Sequence, residues 1–414
     1  VQTRIAIYIR SVKTARGAEQ VSANVARGLA DRGCRVDFLV EDAHGWVLDQ
    51  LRDHHNIAVI ELRAEREPLA HYWYLLRAGL TSLLVPRKPR LYRKLAWLRQ
   101  MLRLIVKNDP PLHALCRYID SARPVSIISY LNDPNMALML AAMLRPGRTR
   151  YLVSVRNHIS TAVARNPSKW LRSVPYLMRW LFPLADVVVA PSQGVAEDVV
   201  AITGLPAQRT CVIHNPVYRR EIIEQSMQPL DHRWFADATV PVVVAAGKLK
   251  PQKDFATLLE AFARVRTQVP VRLVILGEGD ERAALEQRAA RLGIGEDIDM
   301  PGYVENPYNY FRRAAVFVLS SAWEGLPNVL IEAMACGCPV VATDCPSGPR
   351  EILAGGRVGR LVPVADAGRM ADAIRQTLAA PVPREVFVEQ AKRYTYELAV
   401  EGYESVLVDG RCPG

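Results

Sequence analysis

The chain has 414 residues, roughly two to three domain lengths, so a single small module is excluded. Half of its residues are hydrophobic, 23% are charged, and 24 Gly with 28 Pro is ordinary, which excludes disordered, collagenous and low-complexity classes. The 53 Lys+Arg against 42 Asp+Glu leave a net charge of +11, which suggests an anionic partner: nucleic acid, membrane lipid or a phosphorylated substrate.

In chain order, β-branched runs at Ile5–Ile9, Arg35–Val40, Ile57–Leu62, Ser126–Tyr130, Tyr151–Val155, Val187–Ala190 and Cys211–Ile213 read as strands. The first has no basic stretch leading into an apolar core, so a strand rather than a signal peptide is expected there, and no run approaches the roughly 18 apolar residues of a membrane span. A soluble, cytoplasmic protein is expected. Between Glu67 and Asp109 no acidic residue occurs, while Arg77, Arg87, Lys88, Arg90, Arg93, Lys94, Arg99, Arg103 and Lys107 do. Leu91, Leu95, Leu98, Leu102 and Ile105 form a helical stripe in this segment, with Tyr92 and Trp97 beside it. The pattern near 87–107 suggests an interfacial helix on anionic lipid, hence peripheral attachment at the inner face of the cytoplasmic membrane.

The second half alternates more regularly: strands at Val242–Ala246, Val271–Leu276, Val316–Ser320 and Val340–Thr343, helices near Phe255–Arg266, Glu281–Leu292 and Asn328–Cys336. Such alternation means right-handed crossovers and parallel sheets covered on both faces, giving two doubly wound α/β domains. The boundary is placed at His214-Asn215-Pro216, giving domains 1–215 and 216–390, with 391–414 as a terminal helix crossing back to the first domain. Ligands of such sheets bind beyond the carboxyl ends of the strands, so a site facing a cleft between the domains is expected in strand-to-helix loops. Seven scattered cysteines favour a reducing compartment, and Cys336, Cys338 and Cys345 read as buried apolar residues rather than a zinc site.

Two loops carry phosphate chemistry. In Glu324-Gly325-Leu326-Pro327-Asn328-Val329-Leu330-Ile331-Glu332, Pro327 suits a helix start, whose free amides make an anion site. Two carboxylates cannot attract phosphate, so Glu324 and Glu332 are assigned to hydroxyls of a sugar and a ribose. Gly247-Lys248-Leu249-Lys250-Pro251-Gln252-Lys253-Asp254 follows a strand, and its lysines can neutralise a diphosphate. Gly277-Glu278-Gly279 opens like a dinucleotide fingerprint but lacks the third glycine, and Asp297-Ile298-Asp299 reads as structural rather than metal-binding.

With Gly-Lys-Leu-x-x-Gln-Lys-Asp-Phe ending at Phe255, Leu276-Gly-Glu-Gly279, Pro301-Gly-Tyr-Val304, Tyr310-Phe-Arg-Arg-Ala314, the Glu324/Glu332 pair and the run from Glu332 to Asp344, the chain resembles retaining, nucleotide-sugar-dependent glycosyltransferases of family 4, with the GT-B fold. The resemblance implies that Glu324 contacts the donor sugar, Glu332 the ribose, Lys248 and Lys253 the diphosphate, Gly302, Tyr303 and Val304 the nucleobase, and Gly325, Leu326, Pro327, Asn328 and Val329 the sugar and phosphate. Gly247 belongs to the same donor site. In the first domain, Gly17 stands where relatives carry two glycines, and either Arg156 or His158 falls at the position of an active-site histidine.

The resemblance implies a hexose or N-acetylhexosamine transferred from a nucleotide diphosphate sugar, UDP preferred, to a lipid-linked or polysaccharide acceptor in bacterial cell-surface glycan assembly (lipopolysaccharide, O-antigen, capsule). No metal or other cofactor is expected, and no nucleic acid. Alternatives are a GDP-mannose-dependent mannosyltransferase, a nucleotide-sugar epimerase or a saccharide-binding scaffold.

Overall fold

The structure is a computed structural model that describes residues 2–12, 17–62, 112–166, 168–236, 239–380 and 382–413, with Trp46 described for its backbone alone. The basic segment with its expected helix near 87–107 lies outside the described residues.

The chain divides into two units. The first comprises Val1–Pro191, Val195–Ile213 and Val400–Gly414, the second Ser192–Gly194 and His214–Ala399. The first holds a seven-stranded sheet, β1 (Arg4–Tyr8), β2 (Arg35–Val40), β3 (Ile57–Glu61), β4 (Ser126–Tyr130), β5 (Arg150–Ser154), β6 (Val187–Ala190) and β7 (Thr210–Val212), in the order β3-β2-β1-β4-β5-β6-β7. Every pairing is parallel, with Ile5 opposite Val36 on one side and Ser126 on the other. All five residues of β4 are buried, as a parallel strand covered on both faces requires. One core forms on each face of the sheet.

The second unit repeats the plan with β8 (Val242–Ala246), β9 (Arg272–Leu276), β10 (Ile298–Gly302), β11 (Val316–Leu319), β12 (Val340–Thr343) and β13 (Arg360–Val362), in the order β10-β9-β8-β11-β12-β13. Its pairings are also parallel, and two cores again flank the sheet. The strand order reverses between β8 and β11, so the crevice beyond their carboxyl ends is the topological binding point. The loops at Gly247 and Glu324 leave the sheet there.

Strands β10 and β13 were not among the expected elements. Both are edge strands; β13 has three residues, and β10 contains Pro301 and shifts register between Asp299 and Gly302. Proline withholds a ladder donor, which an edge tolerates.

The chain end also differs from the single helix expected over 391–414. A 3-10 turn at Lys392–Tyr394 precedes the Tyr396–Glu404 helix, which continues as a π-helical turn at Ser405–Asp409. Tyr403, Val406 and Leu407 enter a core of the first unit, whereas Leu398 is 56% exposed. The Ser126 hydroxyl donates to the Leu407 carbonyl at 2.7 Å, and the Arg150 guanidinium donates to the carbonyls of Leu407 and Val408. A disulfide joins Cys211 to Cys412 across 201 residues, a pairing that the scattered cysteine spacing did not signal; Cys34, Cys116, Cys336, Cys338 and Cys345 are free and buried.

Candidate active site

The site in the second unit is built from loops that need small residues to approach each other. A Cβ added to Gly277 would lie 2.0 Å from the Gly247 carbonyl oxygen, and one on Gly279 would lie 2.2 Å from that of Leu249. The Gly247 amide donates to Leu276 O at 2.9 Å and the Leu249 amide to Glu278 O at 2.9 Å. Gly277-Glu278-Gly279 therefore packs one strand-to-helix loop against another, a structural reason for glycines that the dinucleotide resemblance did not explain. Beside it the Gly277 amide donates to Gly302 O at 2.8 Å; Gly302 has φ 89°, Tyr303 is 56% exposed, and Val304 packs on the core.

Within this frame the Lys253 ammonium donates to Glu324 Oε1 at 2.7 Å, and the Ser321 hydroxyl donates to the same oxygen at 2.7 Å. Both ionic side chains are largely enclosed, 15% and 9% exposed. Their backbones are fixed as well. Ser320 Oγ donates to Lys253 O, Gln252 Nε2 to Trp323 O and Ser347 Oγ to Glu324 O. A buried pair of this kind is held by added hydrogen bonds, without which desolvation would outweigh the attraction.

Lys248 is exposed and Lys250 half-buried. Burial pushes the Lys250 ammonium below its usual range, the neighbouring Lys253 adds to the fall, and Glu324 opposes it. Three lysines and one carboxylate thus share the mouth of the site. The family resemblance names Lys248 and Lys253 alone among the motif's lysines; the structure adds Lys250 to the same cluster.

Glu324 leads through Gly325 and Leu326 to Pro327, which is the N-cap of the Asn328–Ala335 helix rather than its first residue. The amides of Asn328 and Val329 have no backbone acceptor among the described residues, the condition that makes a helix start attract anions. Asn328 accepts from the Asn215 side chain. One turn further in, burial raises the Glu332 carboxyl to about 7, with Arg219 and Lys253 opposing the rise. Tyr308 is pushed up chiefly by Glu332, and Arg219 hydrogen-bonds the phenol. Arg219 and Tyr308 lie outside the quoted motifs, at sequence distances that no local pattern connects.

The remaining candidates lie in the first unit. Gly17 has φ 54° and caps the Ala18–Asp31 helix after β1, where an L side chain would be strained. After β5, Arg156 reaches Ser154 Oγ at 3.3 Å and Tyr403 Oη at 3.4 Å, with its guanidinium carbon 5.7 Å from the Tyr130 ring centroid. His158 caps the Ile159–Arg165 helix: its Nδ1 accepts from the Thr161 amide at 3.4 Å and lies 3.6 Å from Asp198 Oδ2. Thus Nδ1 is engaged within the first unit. Asp297 pairs with Arg266 at 2.7 Å and Asp299 with His232 at 2.9 Å.

Residues 229–394 match the family "Glycosyl transferases group 1", and residues 16–216 match "Glycosyl transferase 4-like domain". The chain is 29% identical over 263 residues to N-acetylgalactosamine-N,N'-diacetylbacillosaminyl-diphospho-undecaprenol 4-alpha-N-acetylgalactosaminyltransferase of Campylobacter jejuni, 64% of this chain and 69% of that one. It is 33% identical over 198 residues to the lipopolysaccharide core biosynthesis glycosyltransferase LpsE of Rhizobium meliloti, 48% of this chain and 55% of the relative. Among solved structures it superposes on Anabaena Alr3699/HepE in complex with UDP-glucose with a TM-score of 0.70 and 18% identity, covering 99% of each chain, a likeness of fold. The two parallel-sheet units are those of the GT-B fold, and the chain belongs to the group 1 glycosyltransferases and is a transferase enzyme.

Proposed function

We propose that this enzyme transfers a hexose or N-acetylhexosamine, with retention, from a UDP-sugar to a lipid-linked or polysaccharide acceptor in bacterial cell-surface glycan synthesis. The observation that carries the reading is the enclosed Lys253–Glu324 pair set beside Lys248, Lys250 and the amide end of the Asn328–Ala335 helix. The diphosphate takes the lysines and the Asn328 and Val329 amides, which stabilise the charge that grows on it as its bond to the sugar breaks. Glu324, relieved of part of its hold on Lys253, accepts from a donor-sugar hydroxyl, and Glu332 accepts from the ribose. The bond from the acceptor oxygen to the anomeric carbon forms on the face the phosphate leaves, and the departing phosphate takes the acceptor proton.

The relatives support the acceptor class: one is named for a diphospho-undecaprenol acceptor and another for lipopolysaccharide core synthesis. The preference for UDP rests on the family resemblance and on the UDP-glucose complex of a fold neighbour. We assign the charge-neutralising role to lysines rather than to a metal, and place the enzyme peripherally on an anionic bilayer.

A panel of nucleotide sugars assayed for nucleotide release with a membrane extract as acceptor tests the reading. Turnover with a UDP-sugar that survives excess chelator, and is lost in Glu324→Ala and Lys253→Ala, is the expected result. Unchanged turnover in both variants overturns the site assignment, and loss on chelation reversed by a divalent ion overturns metal independence.

A further inference from the structure

Strand β11 ends at Leu319, and the two serines that follow both serve the Lys253–Glu324 pair. Ser320 Oγ donates to the Lys253 carbonyl, and Ser321 Oγ donates to Glu324 Oε1 at 2.7 Å. Ser321 is fully buried, where a hydroxyl without an acceptor would be costly. Its backbone is pinned as well, since the Thr343 hydroxyl at the end of β12 donates to the Ser321 carbonyl. Glu324 Oε1 therefore receives two donors, Ser321 and Lys253, each at 2.7 Å. Among the described residues Oε2 receives none. An ionised carboxylate can accept about four hydrogen bonds, so the open half of the group is its second oxygen.

The two donors differ in how firmly they are placed. Lys253 carries its ammonium on a long flexible stem, and it is a cation that a diphosphate would draw away. Ser321 has one short side-chain torsion and stands at a buried strand end. We propose that Ser321 is a positioning residue for the donor sugar: its hydroxyl keeps Oε1 anchored when Lys253 turns to the diphosphate, so that Oε2 stays presented to one sugar hydroxyl. A carboxylate left to Lys253 alone would lose its orientation at the moment the lysine is recruited. With Ser321 in place the cation moves and the carboxylate does not. The sugar then meets Glu324 through a single oxygen, which makes one hydroxyl, rather than a pair, the group read there. The proposal rests on the donor-site reading of Glu324 and Lys253. A serine that merely filled space would be replaced without loss by alanine, which has nearly the same shape.

Ser321→Ala and Ser321→Thr in the full chain are compared with wild type for UDP affinity by calorimetry, melting temperature, and turnover of a UDP-sugar and its monodeoxy analogues. Ser321→Ala should bind UDP as wild type does and lose about tenfold or more in kcat/KM for the UDP-sugar, the worth of a hydrogen bond to a charged group. Ser321→Thr, which keeps the hydroxyl, should recover most of that loss. Wild type should suffer most from removal of one particular sugar hydroxyl. With that analogue Ser321→Ala should cost nothing further, because the contact it orients is already gone. Wild-type turnover in Ser321→Ala overturns the inference, as does an equal loss with every analogue or a parallel fall in UDP affinity, either of which marks a general structural role. If the added methyl of Ser321→Thr is not accommodated, its melting temperature falls, and the analogue series with Ser321→Ala still decides. Turnover lost in Glu324→Ala but kept in Ser321→Ala removes the role of Ser321 alone. A wild type that turns over no nucleotide sugar, or a Glu324→Ala variant as active as wild type, removes the donor-site reading and the inference with it.

Discussion

At the residue scale, Lys253 and Glu324 hold each other at 2.7 Å in a largely enclosed place. Removing the lysine takes a cation from the proposed diphosphate site and also breaks the carboxylate's ion pair. Lys253→Ala should lower kcat by about a hundredfold or more, the range found when one stabilising donor is removed from a developing oxyanion. Lys253→Arg should restore part of it, since charge is kept and shape is not. Nucleotide-release kinetics read both outcomes. Glu332 makes a second prediction, about pH. Its carboxyl sits near 7 in the folded chain against 4.5 unfolded, so the folded state holds the proton more tightly. The stabilising contribution is complete below about 4.5 and is lost as pH rises through about 7. Wild type should therefore lose thermal stability relative to Glu332→Gln over that window in the absence of donor. Donor KM should move the other way, falling as pH rises through about 7 in wild type and staying flat in the variant, because the ionised carboxylate is the better hydroxyl acceptor.

At the scale of elements, the glycines of the Gly277 loop are a packing device: a Cβ at either position would drive into a carbonyl of the Gly247–Leu249 loop. Gly277→Ala should force that loop outward, destabilising the fold by about 1–3 kcal/mol and raising donor KM by displacing Lys253, whose stem occupies the space a Cβ on Gly247 would need, 3.1 Å from it. A fall in melting temperature together with weakened UDP binding by calorimetry checks it, whereas an unaltered KM would detach the loop from the site. Elements of this kind were legible where apolar periodicity is strong. The central strands β1, β4, β8 and β11 are buried runs that any pattern reading finds, and the phosphate loops follow directly from their ends. What the sequence hides is registered elsewhere in space. Strands β10 and β13 are short edges whose pairing depends on neighbours, and the Arg219–Tyr308–Glu332 group assembles from three separate segments. The His158 ring is fixed by an N-cap bond and by Asp198 from a different helix, neither of which spacing reveals.

At the scale of the whole molecule, the chain passes to the second unit after Ile213 and returns to the first at Val400. The return is structural: Tyr403, Val406 and Leu407 complete a core that otherwise consists of residues from the first 213 positions, among them Ile5, Val36 and Ile128. Arg32 pairs with Glu401 and Glu404, and the Leu407 carbonyl receives bonds from Ser126 and Arg150. Truncation after Ala399 should therefore unfold the first unit, although nearly all of its sequence remains. Tyr403→Ala is the finer probe. Tyr403 is fully buried, its hydroxyl lies 3.4 Å from Arg156, and its ring is 6.4 Å from that of Tyr130. Losing an enclosed aromatic ring costs about 3–5 kcal/mol, so the variant should melt well below wild type. If the proposed nucleotide site of the second unit folds by itself, UDP binding by the variant at low temperature should stay near wild type while the melting curve splits into two transitions. A single transition with binding lost in parallel would show that the returning tail ties the stability of both units together. Cys412→Ser separates the two contributions of the tail, since it removes the bond to Cys211 and leaves the Tyr403 packing in place. A smaller fall in melting temperature than that of Tyr403→Ala would assign the anchoring chiefly to the buried ring.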